Sequence, residues 1–121
     1  MRKEREVSVT DERTLLLRWD QEMLDTYAQG KAIGYNARLF LRMIHQSGGL
    51  NAARALINTD TPGTGFNKLW ELKRLDIAVE ARALKPEYGS LFNASELKRC
   101  RGRLDLAGWT QDPPWSPPPR R

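Results

Sequence analysis

The sequence predicts an all-α protein, a compact orthogonal bundle of five to six short helices followed by a disordered, proline-rich C-terminal tail. Apolar residues recur at three- and four-residue steps, glycines and capping residues separate these stretches, and no alternating β-strand pattern of useful length occurs. A chain of 121 residues suits one domain. We place a flexible charged arm at residues 1–9, a single helical domain at 10–109 and the tail at 110–121.

Three helices are expected in the first half of the chain. The first has an N-cap at Thr10 and an apolar stripe along one side. The second begins near Asn36 and ends at Gly48 and Gly49, because glycine adopts the left-handed conformation without a steric penalty. A third starts at about Leu50. The residues expected to face inward are Leu16, Trp19, Met23, Tyr27, Leu39, Phe40, Met43, Ile44, Ala53, Leu56 and Ile57.

The apolar stretch at residues 69–84 predicts two more helices, after a loop at residues 59–65 that is rich in turn-forming residues. Asp76 is expected to cap the second of these, and Pro86 to end it. That helix is apolar nearly all round, so we expect it at the centre of the fold. The inward residues assigned here are Phe66, Leu69, Trp70, Ile77, Ala81, Leu84 and the aliphatic stem of Lys73.

The last helix has the clearest start. Asn93 precedes Glu96 by three residues, which is a relative of the capping box, and Phe92 and Leu97 are placed to form a hydrophobic staple. Gly108 ends the helix, and its inward face is formed by Leu97, Cys100 and Leu104. Half of residues 112–121 are proline, which predicts an extended polyproline II tail.

Composition excludes several classes of protein. A single cysteine, Cys100, rules out an internal disulfide and any metal site built from several cysteines of this chain, and a single histidine, His45, restricts metal centres further. We therefore expect neither a metal nor a cofactor. The charged start lacks the apolar core of a signal peptide, and the longest apolar runs are far too short to span a membrane. A soluble, cytoplasmic protein is expected.

No recognisable catalytic set is present, so enzymatic activity is not expected. The glycines of residues 61–65 lack the spacing of a phosphate-binding loop. Glu80 has no second carboxylate beside it, and a salt bridge to an arginine of a neighbouring helix explains it better than acid–base catalysis. Cys100 is interpreted as a small core residue with an inert thiol.

The distribution of charge suggests where a partner could bind. The net charge is +5, and while the first helix is acidic, two later helices are basic. Arg38, Arg42 and His45 are spaced i, i+4, i+7, so they lie on one edge of the second helix, where they could contact phosphates. The alternative is the solvated polar face that every amphipathic surface helix requires.

A second basic cluster lies on the last helix, where Arg120 and Arg121 of the tail could add to it. Basic residues there also stabilise the helix dipole by themselves. The leading hypothesis is a non-enzymatic accessory domain that contacts nucleic acid. The alternative is a protein–protein interaction subunit or homodimer, in which the acidic first helix pairs with a basic helix of another copy. The cluster comprises Lys98, Arg99, Arg101 and Arg103.

Three segments carry a resemblance to a known kind of domain: GYNARLFLRMIHQSGG at residues 34–49, GFNKLWELKRLDIAVEA at 65–81 and YGSLFNASEL at 88–97. Together they resemble a small, uncharacterised bacterial all-helical domain, found alone or appended to restriction-like and other defence proteins. The likeness extends over roughly residues 15–109 and leaves out the proline-rich tail. It implies a DNA-directed or defence setting and brings no known active site.

Overall fold

The computed structural model describes residues 2–119, and the side chains of residues 12–119. Six α-helices follow one another without any β-strand in the described range, so the predicted all-α class is confirmed, whereas the orthogonal crossing of the helices stays a prediction. They are α1 (Arg2–Ala32), α2 (Arg38–Ser47), α3 (Gly49–Ile57), α4 (Thr64–Glu71), α5 (Val79–Ala83) and α6 (Ala94–Leu106). Short 3₁₀ turns at Leu75–Ile77 and Pro86–Leu91 flank α5.

The N-terminal segment differs from the prediction. Helix α1 begins at Arg2, so Thr10 lies inside the helix and does not cap it. The residues before Thr10 include Arg, Lys and Glu, which favour helix, and no glycine or proline separates them from the apolar stripe. Residues 2–9, expected as an arm, thus continue α1, while Met1 lies outside the described residues.

Helix α5 lies between two hydrophobic clusters, as its apolar sequence predicted. Val79 and Ala83 pack into the first cluster with Trp19 and Met23 of α1, and also with residues of α2 and α3. Ala81 packs into the second cluster, formed by α4, the Leu75–Ile77 turn and Leu104 of α6. Because α5 serves both clusters, residues 75–83 are buried without interruption.

The indole of Trp19 is the largest fully buried side chain near the middle of the first cluster. Tyr88 and Phe92 meet it edge-on, with ring centroids 4.9 and 5.2 Å from its own. This arrangement suits aromatic quadrupoles. The Trp19 Nε1–H group is buried without a hydrogen-bond partner among the described residues.

The predicted local signals of α6 are confirmed. The Asn93 side chain accepts a hydrogen bond from the Glu96 backbone amide at 2.8 Å, and the Glu96 carboxylate accepts one from the Asn93 amide at 2.9 Å. Phe92 and Leu97 pack into the same cluster. Gly48, between α2 and α3, has φ +87°, and Gly108, after α6, has φ +76°, a region that favours glycine.

Several side chains do not lie where the sequence predicted. Leu16, expected inward, is 39% exposed, and Lys73, whose aliphatic stem was expected inward, is exposed beyond the end of α4. Trp70 and Leu39, both expected inward, are 53% and 67% exposed, because the short helices bury the neighbouring pairs Phe66/Leu69 and Phe40/Ile44 instead. Asp76 does not cap α5, whose N-cap is Ala78. The buried carboxylate of Asp76 instead accepts two hydrogen bonds from the Arg74 guanidinium, at 2.8 and 2.9 Å.

The proline-rich segment forms a turn in place of an extended tail. The Trp109 indole donates a hydrogen bond to the Pro114 carbonyl at 2.8 Å, and the Ser116 amide donates one to the Pro113 carbonyl at 3.0 Å. Trp115 packs against the second cluster. Prolines lack an N–H group but keep their carbonyls, so they can accept these bonds while the tryptophans become partly buried.

No helix within residues 2–119 combines the length and the hydropathy needed to cross a membrane.

Candidate nucleic-acid interface

Most carboxylates of the described region that lie near the core are paired inside the protein. Glu22 of α1 accepts a hydrogen bond from Lys85 at 2.7 Å and from the Tyr88 hydroxyl at 2.9 Å. Asp25 accepts one from Arg82 at 2.8 Å. These α1 carboxylates therefore already have cationic partners within the chain. Glu22 and Asp25 are therefore not free to pair with a basic helix of a second copy, as the homodimer hypothesis requires of the acidic first helix.

The innermost ion pair joins α5 to α6. Arg103 Nη1 lies 2.9 Å from Glu80 Oε2, and both side chains are almost fully buried. Arg103 also donates to the Leu56 carbonyl at 3.1 Å and to the Thr59 carbonyl at 2.6 Å. The predicted pairing of Glu80 with an arginine of another helix is confirmed.

The prediction that Arg103 belongs to the surface basic cluster of α6 is therefore wrong. Its guanidinium is enclosed by Glu80 and by the carbonyls at the end of α3, so it does not lie on the surface that a phosphate could reach. The sequence predicted Arg103 as a surface cation because basic residues occur on several sides of α6. Its partner Glu80 is 23 residues away in the sequence, so no local pattern revealed the pair.

Glu96 forms a second inner network. Its carboxylate accepts hydrogen bonds from Arg54 at 2.8 Å and from Asn58 at 2.7 Å. Burial by itself raises the pKa of Glu96, but these donors and the Asn93 amide outweigh it and hold the pKa below its ordinary value. Arg54 of α3, whose side chain is 42% exposed, is thereby neutralised.

The edge of α2 has a different character. Arg38, Arg42 and His45 are all exposed, on the side away from the buried Phe40 and Ile44. Among the described residues, none of the three side chains forms an ion pair or a hydrogen bond. The sequence prediction of one outward basic edge agrees with this placement. A phosphate approaching it would find unneutralised cations.

Helix α6 adds a smaller basic edge. Lys98 and Arg101 are exposed and, within the described range, form no ion pair. Arg99 is half-buried, and its guanidinium donates to the Thr59 carbonyl at 3.2 Å, which leaves part of it free. Helix α3 packs against both α2 and α6, so the two edges belong to neighbouring parts of the bundle. Arg120 and Arg121 lie outside the described residues.

The described residues offer neither a metal-binding cluster nor an exposed thiol. Residues 12–119 hold no group of three or more His, Cys, Asp or Glu side chains placed to bind a metal ion. Burial, followed by the nearby Glu80 carboxylate, raises the pKa of the Cys100 thiol to about 12, so the thiol stays protonated at neutral pH. Cys100 is a core residue, as the sequence indicated.

Two features were missed by sequence reasoning. A groove of about 560 Å³ between α4 and α6 is bordered by the exposed side chains of Trp70 and Leu106. The Trp70 indole is held in place by a hydrogen bond from Nε1 to the Ala107 carbonyl at 3.0 Å. A mostly apolar cavity, partly open to solvent, also lies between the two hydrophobic clusters. Both depend on contacts between helices that are far apart in the sequence, and no local signal marks them.

No protein family model, curated protein or solved structure matches this chain.

Proposed function

We propose that this protein is a non-enzymatic accessory domain that binds nucleic acid in the cytoplasm through phosphate contacts, in a setting such as bacterial defence or DNA metabolism. One observation carries the proposal. The buried arginines Arg82 and Arg103 are neutralised by carboxylates. In contrast, several basic side chains remain exposed and unpaired in the described region, namely Arg38, Arg42 and His45 of α2 and Lys98 and Arg101 of α6.

The chemistry of these side chains supports contacts to the backbone and not to bases. Guanidinium groups bind phosphates through paired N–H donors and keep their charge at any physiological pH. Phosphate contacts of this kind fix the position of a protein on a duplex without reading its sequence. The resemblance to helical domains of DNA-directed defence proteins supports the same class of partner.

The test is the affinity for a short DNA duplex, measured by fluorescence anisotropy between about 50 and 200 mM salt. We expect affinity to fall as salt rises. The double substitution Arg38→Gln/Arg42→Gln should reduce the slope of log affinity against log salt by about 1.8, or about 0.9 for each lost phosphate contact.

A matched control variant loses the same net charge as Arg38→Gln/Arg42→Gln, but on a different helix. Arg13 and Arg18 are exposed arginines of α1, and Arg13→Gln/Arg18→Gln also removes two positive charges. The proposal expects this variant to keep the slope of the wild type. Absence of binding at low salt, or an equal loss in both double variants, would refute it.

A second candidate function is protein–protein interaction at the groove between α4 and α6. Trp70 and Leu106 are 53% and 92% exposed and lie on the same groove, and large exposed apolar side chains of this kind are common at interfaces. Light scattering detects self-association and so distinguishes a homodimer from a protein that binds a different partner. If the protein self-associates at this groove, Trp70→Ser/Leu106→Ser should abolish the association. A monomer at all concentrations restricts this candidate to a different protein partner.

A further inference from the structure

The cavity between the two hydrophobic clusters has a volume of about 230 Å³. Phe40 of α2 and Val79 of α5 border it from the first cluster, and Phe66 and Leu69 of α4 border it from the second. The pocket is partly open to solvent, and concave, mostly apolar spaces of this kind are the usual form of small-molecule sites. Its position at the junction of the two clusters makes it a candidate binding site.

The cavity wall is mostly apolar and aromatic. Besides the two phenylalanines, the rings of Tyr27 and Tyr35 border it. An apolar cavity of about 150 Å³ can stay dry and bind benzene, so this larger space can hold a molecule of about one fused bicyclic ring system.

Among the described residues, the polar or charged side chains that border this space are Thr26, Tyr27, Tyr35, Thr64 and Glu80. Thr26 accepts a hydrogen bond from Arg82 at 3.2 Å, and Thr64 is exposed at the rim. The Tyr27 hydroxyl donates to the Asn36 side chain at 2.7 Å, and Glu80 is paired with Arg103. In the part of the chain that the structure describes, the Tyr35 hydroxyl has no hydrogen-bond partner. It packs closely against Gly65, where a Cβ atom would lie only 3.0 Å from the hydroxyl oxygen.

We propose that this cavity binds a compact, uncharged, aromatic small molecule that uses the Tyr35 hydroxyl as a polar contact. Among the described residues, Glu80 is the only charged one on the wall, and Arg103 already neutralises it. A charged ligand would lose its hydration without gaining a partner, which disfavours it strongly. Leu39, which is 67% exposed, and Gly63 border the side through which the molecule enters.

Indole is a suitable probe because it is neutral, bicyclic and carries one N–H group. Titration into the full-length protein, followed by amide chemical shifts, should show saturable binding with a Kd of about 1 mM or tighter. The shifts should centre on residues 35–43 and 63–69. Indole-3-acetate, which carries a carboxylate, should not bind. Absence of saturable indole binding, or equal binding of both compounds, would overturn the proposal.

Cavity-filling variants give the decisive test. Val79→Phe and Ala37→Leu fill the space from two sides, and each should abolish indole binding while the thermal midpoint shows that the protein remains folded. If Val79→Phe fails to fold, Ala37→Leu alone decides. Ala55→Leu adds the same side chain at an exposed position of α3 and should bind indole as the wild type does. Retention of binding in a folded, filled variant would contradict the proposal.

The polar contact has its own test. Tyr35→Phe should weaken indole binding by about 2- to 10-fold, the range for one lost hydrogen bond, and leave benzene binding unchanged. Equal affinity of this variant and the wild type for indole would disprove the role assigned to the Tyr35 hydroxyl.

Discussion

Arg101 and Arg103 are separated by one residue on α6, yet they occupy different environments. Arg101 is exposed and forms no ion pair among the described residues, whereas Arg103 is 6% exposed and donates hydrogen bonds to Glu80 and to carbonyls near the end of α3. Residues two apart in an α-helix point in nearly opposite directions. The comparison shows that a count of basic residues on a helix overstates its capacity to bind phosphate.

The same distinction separates the interior of the bundle from its outer edges. Inside, Arg103 and Arg82 each pair with a carboxylate of another helix, and in this way they fix how the helices pack. Outside, Arg38 and Arg42 have no such partners in the described structure. We therefore assign Arg103 and Arg82 to the fold, and Arg38 and Arg42 to binding.

The largest effect should come from breaking the inner pair. Arg103→Met leaves the Glu80 carboxylate buried without a partner, and we expect the free energy of unfolding to fall by about 3–5 kcal/mol. Urea denaturation measures this change. Arg101→Met, on the same helix, should change stability by less than about 0.5 kcal/mol.

A double substitution separates the ion pair from simple loss of packing. Glu80→Leu/Arg103→Met removes both charges, so it should lower the free energy of unfolding by less than Arg103→Met alone does. A double variant that is less stable than Arg103→Met would contradict the view that the unpaired charge causes the loss.

A smaller effect is expected where α1 meets α3. The Gly49 amide donates to the Asp20 carboxylate at 2.8 Å, and a Cβ atom at Gly49 would lie 2.7 Å from that oxygen and 3.1 Å from the Asp20 Cα. Gly49→Ala should therefore lower stability by about 1–3 kcal/mol, as overpacking does. Thermal unfolding provides the measurement.

Gly63 supplies the control for this substitution. A Cβ atom at Gly63 would meet nothing within 4 Å, and the backbone there has φ −83°. Gly63→Ala should therefore leave stability unchanged or raise it by up to about 1 kcal/mol. Similar losses in the two alanine variants would show that the α1–α3 contact is not the cause.

The weakest of these effects is on the pH dependence of stability. The folded protein holds the pKa of Glu96 below its ordinary value of 4.5. Its contribution is therefore fully present above that ordinary value, and it is lost as the pH falls through the lower, folded-state pKa. Glu96→Gln should make stability less sensitive to acid in this range, as unfolding curves at several pH values would show. An unchanged acid sensitivity would contradict the assignment.

The parts of the fold that sequence predicted correctly depend on neighbours in the chain. The capping box of Asn93 and Glu96, the glycine stop at Gly48 and the central position of α5 follow from local spacing. Trp70 and the proline-rich segment were predicted wrongly because their positions depend on contacts with α6 and the second cluster.

The candidate sites divide in the same way. The outward edge formed by Arg38, Arg42 and His45 follows from helical periodicity alone. The burial of Arg103 does not, because its ligands at Leu56, Thr59 and Glu80 come from distant segments. The cavity is likewise formed by helices that the sequence does not place side by side.

The central claim is that exposed, unpaired arginines bind phosphate and buried, paired ones do not. Its most direct test is the salt dependence of duplex affinity in the variants Arg101→Gln and Arg103→Gln. Each affinity is corrected for the fraction of folded protein. We predict that Arg101→Gln lowers the slope of log affinity against log salt by about 0.9, the effect of one lost phosphate contact, and that Arg103→Gln leaves it unchanged. A lowered slope in Arg103→Gln together with an unchanged slope in Arg101→Gln would contradict the division between inner and outer arginines.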